Sequence, residues 1–225
     1  MKRSNQFLVL FGLVTLAVLF LTNFNLVQEY NKIDLSDPFK NYISLTTKPY
    51  SVLMLSGSNG YPIEVRNEGG NGLKVLRSRI DHVVQNVISD TLFLEFTGAN
   101  VSRQQSRETN TPPSIIIQRE TLPEIIATDI HGKIFTFVAQ KMNLTLKGDA
   151  LIEIKDSHFK AMDVNLSHQA QIEFSNRNST DSLLLTMSNT SVVFLKNINL
   201  QYIEQNLGDS ISLVLSNDVF NSLVE

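Results

Sequence analysis

The segment NLTLKGDALIEIKDSHFKAM at 143–162, continued by DVNLSHQAQIEFSNRNSTDSL at 163–183, contains the pattern from which the fold can be predicted. Each segment contains two short runs in which apolar and polar residues alternate, and a turn follows each run. Alternation with a period of two is typical of β-strands that bury one face. Two further segments, 184–203 and 204–223, align with them once the second segment is allowed one inserted residue. The C-terminal half is therefore predicted to repeat a unit, here called a rung, of about 20 residues.

The alignment of the four rungs places apolar residues in common columns. A single rung cannot cover its own apolar side, but stacked rungs bury a continuous core. Neighbouring strands lie roughly 4.8 Å apart, so equivalent residues stack directly on one another. The pattern predicts an all-β, solenoid-like stack of about 20-residue rungs. The clearest columns are Leu144, Val164, Leu185 and Gln205; Leu146, Leu166, Met187 and Leu207; and Ile152, Ile172, Val193 and Leu213.

One polar column predicts the corners of the stack. It contains Asp156, Asn176, Asn197 and Asn217. Asn and Asp tolerate the left-handed backbone conformation that a tight corner needs, and their side chains bond to nearby backbone. A polar binding stripe is the alternative interpretation of this column. A β-meander would instead show two-residue Asn-Gly or Asp-Gly turns, and none occurs between Asn143 and Leu223.

The segments that begin at Asn143 and Asp163 resemble the "putative auto-transporter adhesin, head GIN domain" family of Bacteroidetes, whose function is unknown. Lys147-Gly148-Asp149-Ala150 matches the strand–turn–strand pattern of that family, and Ser167-His168-Gln169-Ala170 and Gly208-Asp209-Ser210-Ile211 match it more loosely. The resemblance covers residues 50–223. It implies a right-handed parallel β-helix-like fold, export from the cytoplasm and no established enzyme activity.

The N-terminus carries a candidate membrane segment. Lys2 and Arg3 precede a stretch without charge at 4–28, whose apolar centre runs from Phe7 to Leu21. A membrane-spanning helix needs roughly 20 apolar residues. The segment is therefore either a cleaved signal peptide or a retained anchor with its basic end in the cytoplasm. Residues 21–25 fit a small-residue cleavage site poorly, which favours the retained anchor.

These patterns predict three regions. Residues 1–28 form the signal-anchor, residues 29–42 a polar linker and residues 43–225 the β-solenoid domain. Within that domain, residues 43–122 are predicted to be irregular β structure and residues 123–223 regular rungs. Strands in the irregular part are predicted at Tyr50–Leu55, Ile63–Arg66, Leu73–Leu76, Thr91–Phe96 and Ser114–Gln118, with a solvated loop at Ser102–Thr111.

Composition excludes several classes of function. The chain of 225 residues has a net charge of -3, which argues against a protein that binds nucleic acid through phosphate contacts. It contains no cysteine, so disulfides, thiolate nucleophiles and cysteine-ligated metals are excluded. The four histidines lack metal-ligand spacing. We expect no cofactor and no metal.

Two carboxylates are the strongest candidates for chemistry. Glu153 and Glu173 are predicted to point outward from neighbouring rungs, one strand spacing apart. Such a pair could share a proton or hold a cation. Phe194 and Val214 continue the same column, so the acidic ladder stops after two rungs and no activated base or nucleophile completes it. A solvated face is the favoured interpretation, and we expect no enzyme.

An outward apolar patch is the candidate binding site. Val192 and Phe194 alternate with the inward Val193, and Val214 lies beside them in the next rung. Large outward apolar patches often mark partner sites. The alternative is that other parts of the chain cover this face. The last rung also presents an open core, so we expect it either to fray or to dock against another protein.

The sequence thus predicts a non-catalytic, envelope-anchored β-solenoid module for adhesion, scaffolding or surface interaction. The alternative is a glycan-binding or glycan-modifying domain, which would need a groove with clustered acids and aromatic platforms. The expected partners are the membrane, through a single N-terminal span, and another envelope protein or a surface glycan. We expect the C-terminal domain to lie outside the cytoplasm, facing the periplasm or the cell surface.

Overall fold

A computed structural model describes residues 3–32, 37–57, 62–68, 70–97 and 112–219. The predicted loop at Ser102–Thr111 and the closing residue Leu223 lie outside the described residues. The chain divides into two compact units, Met1–Asn41 and Tyr42–Glu225, and each is described by itself.

The first unit contains one long helix, α1, at Arg3–Asn31. Its unbroken apolar run has no proline, and the hydroxyls of Thr15 and Thr22 donate to the carbonyls of Phe11 and Val18 one turn earlier. These bonds satisfy polar side chains without water. Within α1, the 23 residues Val9–Asn31 are long and apolar enough to cross a membrane by length and composition. The predicted apolar N-terminal helix is confirmed, and it continues three residues beyond the predicted end at 28.

The second unit is built almost entirely from β-strands. A 3-10 helix at Arg77–His82 interrupts them. The strands are β1 Tyr42–Leu45, β2 Val52–Gly57, β3 Ile63–Arg66, β4 Gly72–Leu76, β5 Val83–Ile88, β6 Thr91–Phe96, β7 Ile115–Gln118, β8 Glu124–Thr128, β9 His131–Phe135, β10 Val138–Lys147, β11 Leu151–Lys155, β12 His158–Leu166, β13 Gln171–Ser175, β14 Asn178–Met187, β15 Val192–Leu195, β16 Ile198–Leu207 and β17 Ser212–Leu215. All five strands predicted in the irregular part are present, with boundaries shifted by up to two residues.

The strands form two sheets that enclose the core. The nine-stranded sheet has the order β1-β4-β7-β3-β9-β11-β13-β15-β17, and the eight-stranded sheet has the order β16-β14-β12-β10-β8-β2-β6-β5. From β8 onward the chain visits the two sheets alternately and every pairing is parallel. This arrangement is a solenoid-like stack of about five turns. The predicted fold class is confirmed.

The register between rungs agrees with the columns derived from the sequence. Leu144 pairs with Val164, and Leu185 pairs with Gln205 in the last rung. Ile152 pairs with Ile172 in the opposite sheet. The core residues of these columns have almost no exposed surface, whereas Gln205 is exposed. A polar residue therefore ends an otherwise apolar column in the last described rung.

The corners also follow the predicted polar column. Asp156, Asn176 and Asn197 have φ values of 47°, 62° and 56°. Thr136 occupies the equivalent corner one rung earlier with a φ of 59°. Asn217 departs from the column, because it begins a short helical turn at 217–219. Three of the four predicted corner residues thus adopt the left-handed conformation.

The first part of the domain is not a sequential continuation of the stack. The rung formed by β2 and β3 lies between the rung of β8 and β9 and the rung of β6 and β7. Strands β1, β4 and β5 then close this end with antiparallel pairings. The chain folds back over its own first rung, and the irregular spacing of residues 43–122 reflects this change of order.

Candidate functional site

The predicted acidic and apolar residues form one outward column on the nine-stranded sheet. Glu153 pairs with Glu173, Glu173 with Phe194, and Phe194 with Val214. All four side chains are half-buried. The structure therefore brings together four of the five residues singled out in the sequence, in the predicted register.

Glu153 is held by three neighbouring side chains. The Nζ of Lys155 lies 3.0 Å from its carboxylate, the Nζ of Lys133 lies 3.7 Å away, and the Oγ of Ser175 donates to it at 2.7 Å. Burial disfavours the charged form, but the bonds from Ser175 and Lys155 and the attraction of both lysines outweigh it. The pKa of Glu153 therefore lies below its ordinary value.

Glu173 differs from Glu153 in its surroundings. Its carboxylate makes no hydrogen bond or ion pair with any residue that the structure describes, and it lies between Glu153 and Phe194 in the register. A proton shared between two carboxylates would require a raised pKa on one of them. The lysine pair on Glu153 acts in the opposite direction. No group of three or more potential metal ligands occurs within the described ranges.

The predicted apolar patch is small and has a polar border. Lys196 places its Nζ 5.5 Å from the centre of the Phe194 ring, a cation–π distance. Val192 lies two residues before Phe194 on the same face of β15, but its cross-strand neighbours, Gln171 and Ser212, are polar. The patch thus consists of three apolar side chains with a polar border.

The middle of the same face carries a ladder of charges and one aromatic ring. Arg66 donates to both Glu64 and Glu68. Phe135 lies between two cations, 5.6 Å from the guanidinium of Arg66 and 5.9 Å from the Nζ of Lys155. The charged side chains thus pair with one another and with the Phe135 ring, so the centre of the outer face of the nine-stranded sheet is polar and ordered.

A larger apolar surface lies on the outer face of the eight-stranded sheet, and the sequence analysis missed it. Phe93, Met54 and Ile126 pair side by side on β6, β2 and β8. All three are half-buried and point away from the core, because their neighbours along each strand are buried. We call this set the outer apolar stripe.

The signal for the outer apolar stripe was present in the sequence. Leu92-Phe93-Leu94 and Leu53-Met54-Leu55 are continuous apolar runs, where a strand with one solvated face would alternate. Continuous runs indicate strands with apolar residues on both faces. On the edge strand β5, which lies beside β6, the residue opposite Phe93 is Asn86, and Val84 and Ile88 flank it on the same face with 50% and 55% of their surface exposed.

A surface depression occupies the other end of the eight-stranded sheet. Its volume is about 240 Å³, and Lys141, Asp163, Tyr202 and Glu204 contribute to its walls. Tyr202 is 57% exposed. The Oδ1 of Asp163 accepts a hydrogen bond from Asn165 at 3.0 Å, which fixes one of the acids. Two carboxylates, one ammonium group and an aromatic ring thus meet in one shallow site.

Comparison with known proteins identifies the fold. No protein-family model matches the chain, and no curated protein matches it. A "putative adhesin" from Bacteroides fragilis has a similar structure, with a TM-score of 0.52 and 14% identity over 76% of this chain and 78% of that chain. A "putative lipid binding protein" and a "putative adhesin", both from Parabacteroides distasonis, give TM-scores of 0.43 and 0.41 at 11% and 9% identity. They cover 78% and 77% of this chain and 93% and 96% of their own lengths. The chain shares the fold of the Bacteroides fragilis protein.

Proposed function

We propose that the protein is a non-catalytic module for surface interaction, adhesion or scaffolding, anchored in the cell envelope by α1. The observation that carries this proposal is the outer apolar stripe of Met54, Phe93 and Ile126, held on a regular stack of strands. A stack with a buried, close-packed apolar core is a rigid support for side chains on its outer faces. Outward apolar surface on such a support favours contact with another macromolecule over chemistry.

The surroundings of Glu153 support the non-catalytic part of the proposal. A general acid or base at neutral pH needs a pKa near the pH at which it works. The lysines and Ser175 move the pKa of Glu153 away from that range. The half-buried patch of Val192, Phe194 and Val214 is proposed as a second contact region on the opposite sheet.

Membership of the head GIN domain family is part of the same proposal. The Lys147-Gly148-Asp149-Ala150 turn that carries the resemblance forms a left-handed corner at Gly148, with a φ of 65°. The fold shared with a protein named as an adhesin agrees with this assignment. The resemblance would place the domain outside the cytoplasm, as Lys2 and Arg3 before α1 also favour.

Site-specific photocrosslinking in native membranes tests the interaction. A photoreactive phenylalanine replaces Phe93, Phe194 or Phe135 in the full chain, and adducts are identified by mass spectrometry. We expect the same protein adduct at Phe93 in independent preparations. Phe135 is the matched control, because its ring lies between Arg66 and Lys155. Equal labelling at all three positions, or labelling of lipid alone, would contradict the proposal.

The envelope anchor has a separate test. The full chain is expected to stay in the membrane pellet at alkaline pH, and the mass of the purified protein should include α1. A C-terminal fusion that is active only outside the cytoplasm should report activity. A soluble protein that lacks α1 would show a cleaved signal peptide, and an inactive fusion would contradict the proposed orientation.

Glycan binding is a second candidate, favoured by the depression beside Tyr202. An exposed aromatic ring next to Asp163 and Glu204 offers a stacking surface and hydrogen-bond acceptors for sugar hydroxyls. Binding of the full chain to a panel of envelope polysaccharides is measured for the wild type, Tyr202→Ala and Gln201→Ala. Loss of binding in Tyr202→Ala alone would support this candidate. Equal binding by all three, or none by the wild type, would remove it.

A further inference from the structure

We propose that the outer edge of β5 pairs antiparallel with β5 of a second copy of this chain, so that two eight-stranded sheets join into one. The proposal rests on the proposed function, because anchoring by α1 would hold two copies in the same membrane at high local concentration. The occupant is inferred from the composition of β5, from its register and from the contrast with the other sheet edges.

The strand β5 has an unpaired edge. Among the described residues, it pairs with β6 and with no other strand. The backbone N–H of Thr97 donates to the carbonyl of His82 at 2.9 Å. His82 and Thr97 are therefore a hydrogen-bonded pair of the antiparallel hairpin. In an antiparallel ladder the bonded pairs alternate, so Val84, Asn86 and Ile88 bond to β6. The N–H and C=O groups of Gln85 and Val87 therefore point away from β6, towards the open edge, whereas the N–H of Val83 donates to the carbonyl of Ile80.

The side chains of β5 offer no protection against pairing. Natural edge strands are usually short, or carry lysine, proline or an inward charge that blocks a second strand. The sequence of β5, VVQNVI, has six residues and none of these features. Two copies therefore meet at this edge without repulsion between like charges. Val84 and Ile88, on the outer face, are half exposed.

The other three sheet edges are different. β1 and β17 have only four residues each. β16 is long, but Glu204, Gln205 and Asn206 make its exposed part polar and charged. Among the described strands, β5 thus provides the long edge without charged side chains.

The strand is complementary to itself in one register. A two-fold axis perpendicular to the sheet at Asn86 places Asn86 opposite its symmetry mate, and Val84 of each copy opposite Ile88 of the other. The same register pairs Gln85 with Val87 of the second copy through their free N–H and C=O groups. Side chains on the outer face stay on the outer face, so the outer apolar stripes of the two copies lie on one continuous face, separated by the two Asn86 side chains.

A cysteine crosslink tests this register directly. The natural chain has no cysteine, so Asn86→Cys introduces a single thiol. Asn86 would form a non-hydrogen-bonded antiparallel pair with Cα atoms about 4.5 Å apart, a distance that a disulfide spans. The matched control is Asn206→Cys, which occupies the exposed edge strand at the opposite end of the same sheet. Full-length proteins in native membranes are oxidised with copper phenanthroline.

We expect Asn86→Cys to form a disulfide-linked homodimer at least about tenfold faster than Asn206→Cys, because pairing holds the two thiols at high effective concentration. Adding Val84→Lys to Asn86→Cys should slow the crosslink, since it places an ammonium group against Ile88 of the partner. Adding Val138→Lys, at a residue of β10 that is 74% exposed, should leave the rate unchanged.

Equal rates for the two single cysteines, or a rate insensitive to Val84→Lys, would overturn the proposal. An adduct of Asn86→Cys with a different protein would also overturn it, and would identify another occupant of the edge. These results are distinct from failure of the proposed function. If the Phe93 photocrosslink still captures an envelope protein while the homodimer is absent, self-pairing fails and the interaction module remains.

Discussion

The Oδ1 of Asn178 accepts the backbone N–H of Ser157 at 3.1 Å, across the boundary between two rungs. The amide of Asn178 also donates to the carbonyls of Ile154 and Ser175 at 3.1 and 2.7 Å. One rung earlier, Ser157 accepts the N–H of Phe137 with its Oγ. Buried polar side chains thus satisfy the backbone at the inner corner, where the strands leave their ladders.

Replacing Asn178 should destabilise the domain strongly. Asn178→Ala leaves one buried N–H and two carbonyls without these partners, and we expect a loss of about 2–4 kcal/mol in the free energy of unfolding. Chemical denaturation followed by circular dichroism measures it. The exposed Asn206→Ala is the control and should stay within about 0.5 kcal/mol of the wild type. A similar effect of both substitutions would contradict the role of Asn178.

Replacing Thr136 at its corner should increase the stability of the domain. A β-branched residue is poorly suited to its positive φ of 59°, whereas Asn tolerates that conformation. Thr136→Asn is therefore expected to stabilise the domain by about 1 kcal/mol. The reciprocal Asn197→Thr should destabilise it by a similar amount. Thermal unfolding of both variants checks this pair, and a change of the same sign in both would refute the explanation.

Gly148 should be intolerant of any side chain. Its φ is 65°, and an added Cβ would lie 2.1 Å from the Oδ1 of Asp129. That oxygen accepts the N–H of Asp149 at 2.7 Å. Gly148→Ala should cost about 2–4 kcal/mol through backbone strain and loss of this bond. In an Asp129→Gly background the same change should cost less, and strictly additive effects in this double-mutant cycle would contradict the steric argument.

The ion pairs of Glu153 should make stability depend on pH. The pKa of Glu153 is lowered in the folded state, so its contribution is fully present above its ordinary value of 4.5 and is lost as the pH falls through the folded pKa. The stability difference between wild type and Glu153→Gln should therefore shrink below that value. We expect at most about 1 kcal/mol, because the pair is partly exposed to solvent. A difference that grows on acidification would contradict the assigned pairing.

The repeated half of the fold could be predicted because its determinants are local. Alternation within each strand fixes which side chains face inward, and the repeat of about 20 residues fixes which of them stack. Corner residues such as Asn176 and Asn197 can be recognised in the sequence, because Asn tolerates a left-handed backbone conformation. The outward position of Glu173 and Phe194 follows from the same alternation. For these residues, sequence position and spatial position are related by a simple period.

The order of the first strands and the surroundings of Glu153 and Asn178 required the tertiary structure, because they depend on contacts between residues without a periodic relation. Nothing in the spacing of residues 43–122 indicates that β2 lies between β6 and β8. Lys133 lies beside Glu153 because of the register between β9 and β11. Asn178 lies against Ser157 because of the sheet register and the one inserted residue. The pattern of apolar and polar residues alone predicts an N-terminal apolar helix and a stack of β rungs. The tertiary structure was needed for the strand order, for the edge that β5 leaves unpaired among the described strands and for the side-by-side placement of the outer apolar stripe, because hydrogen bonds between distant strands are made by backbone groups that every residue carries.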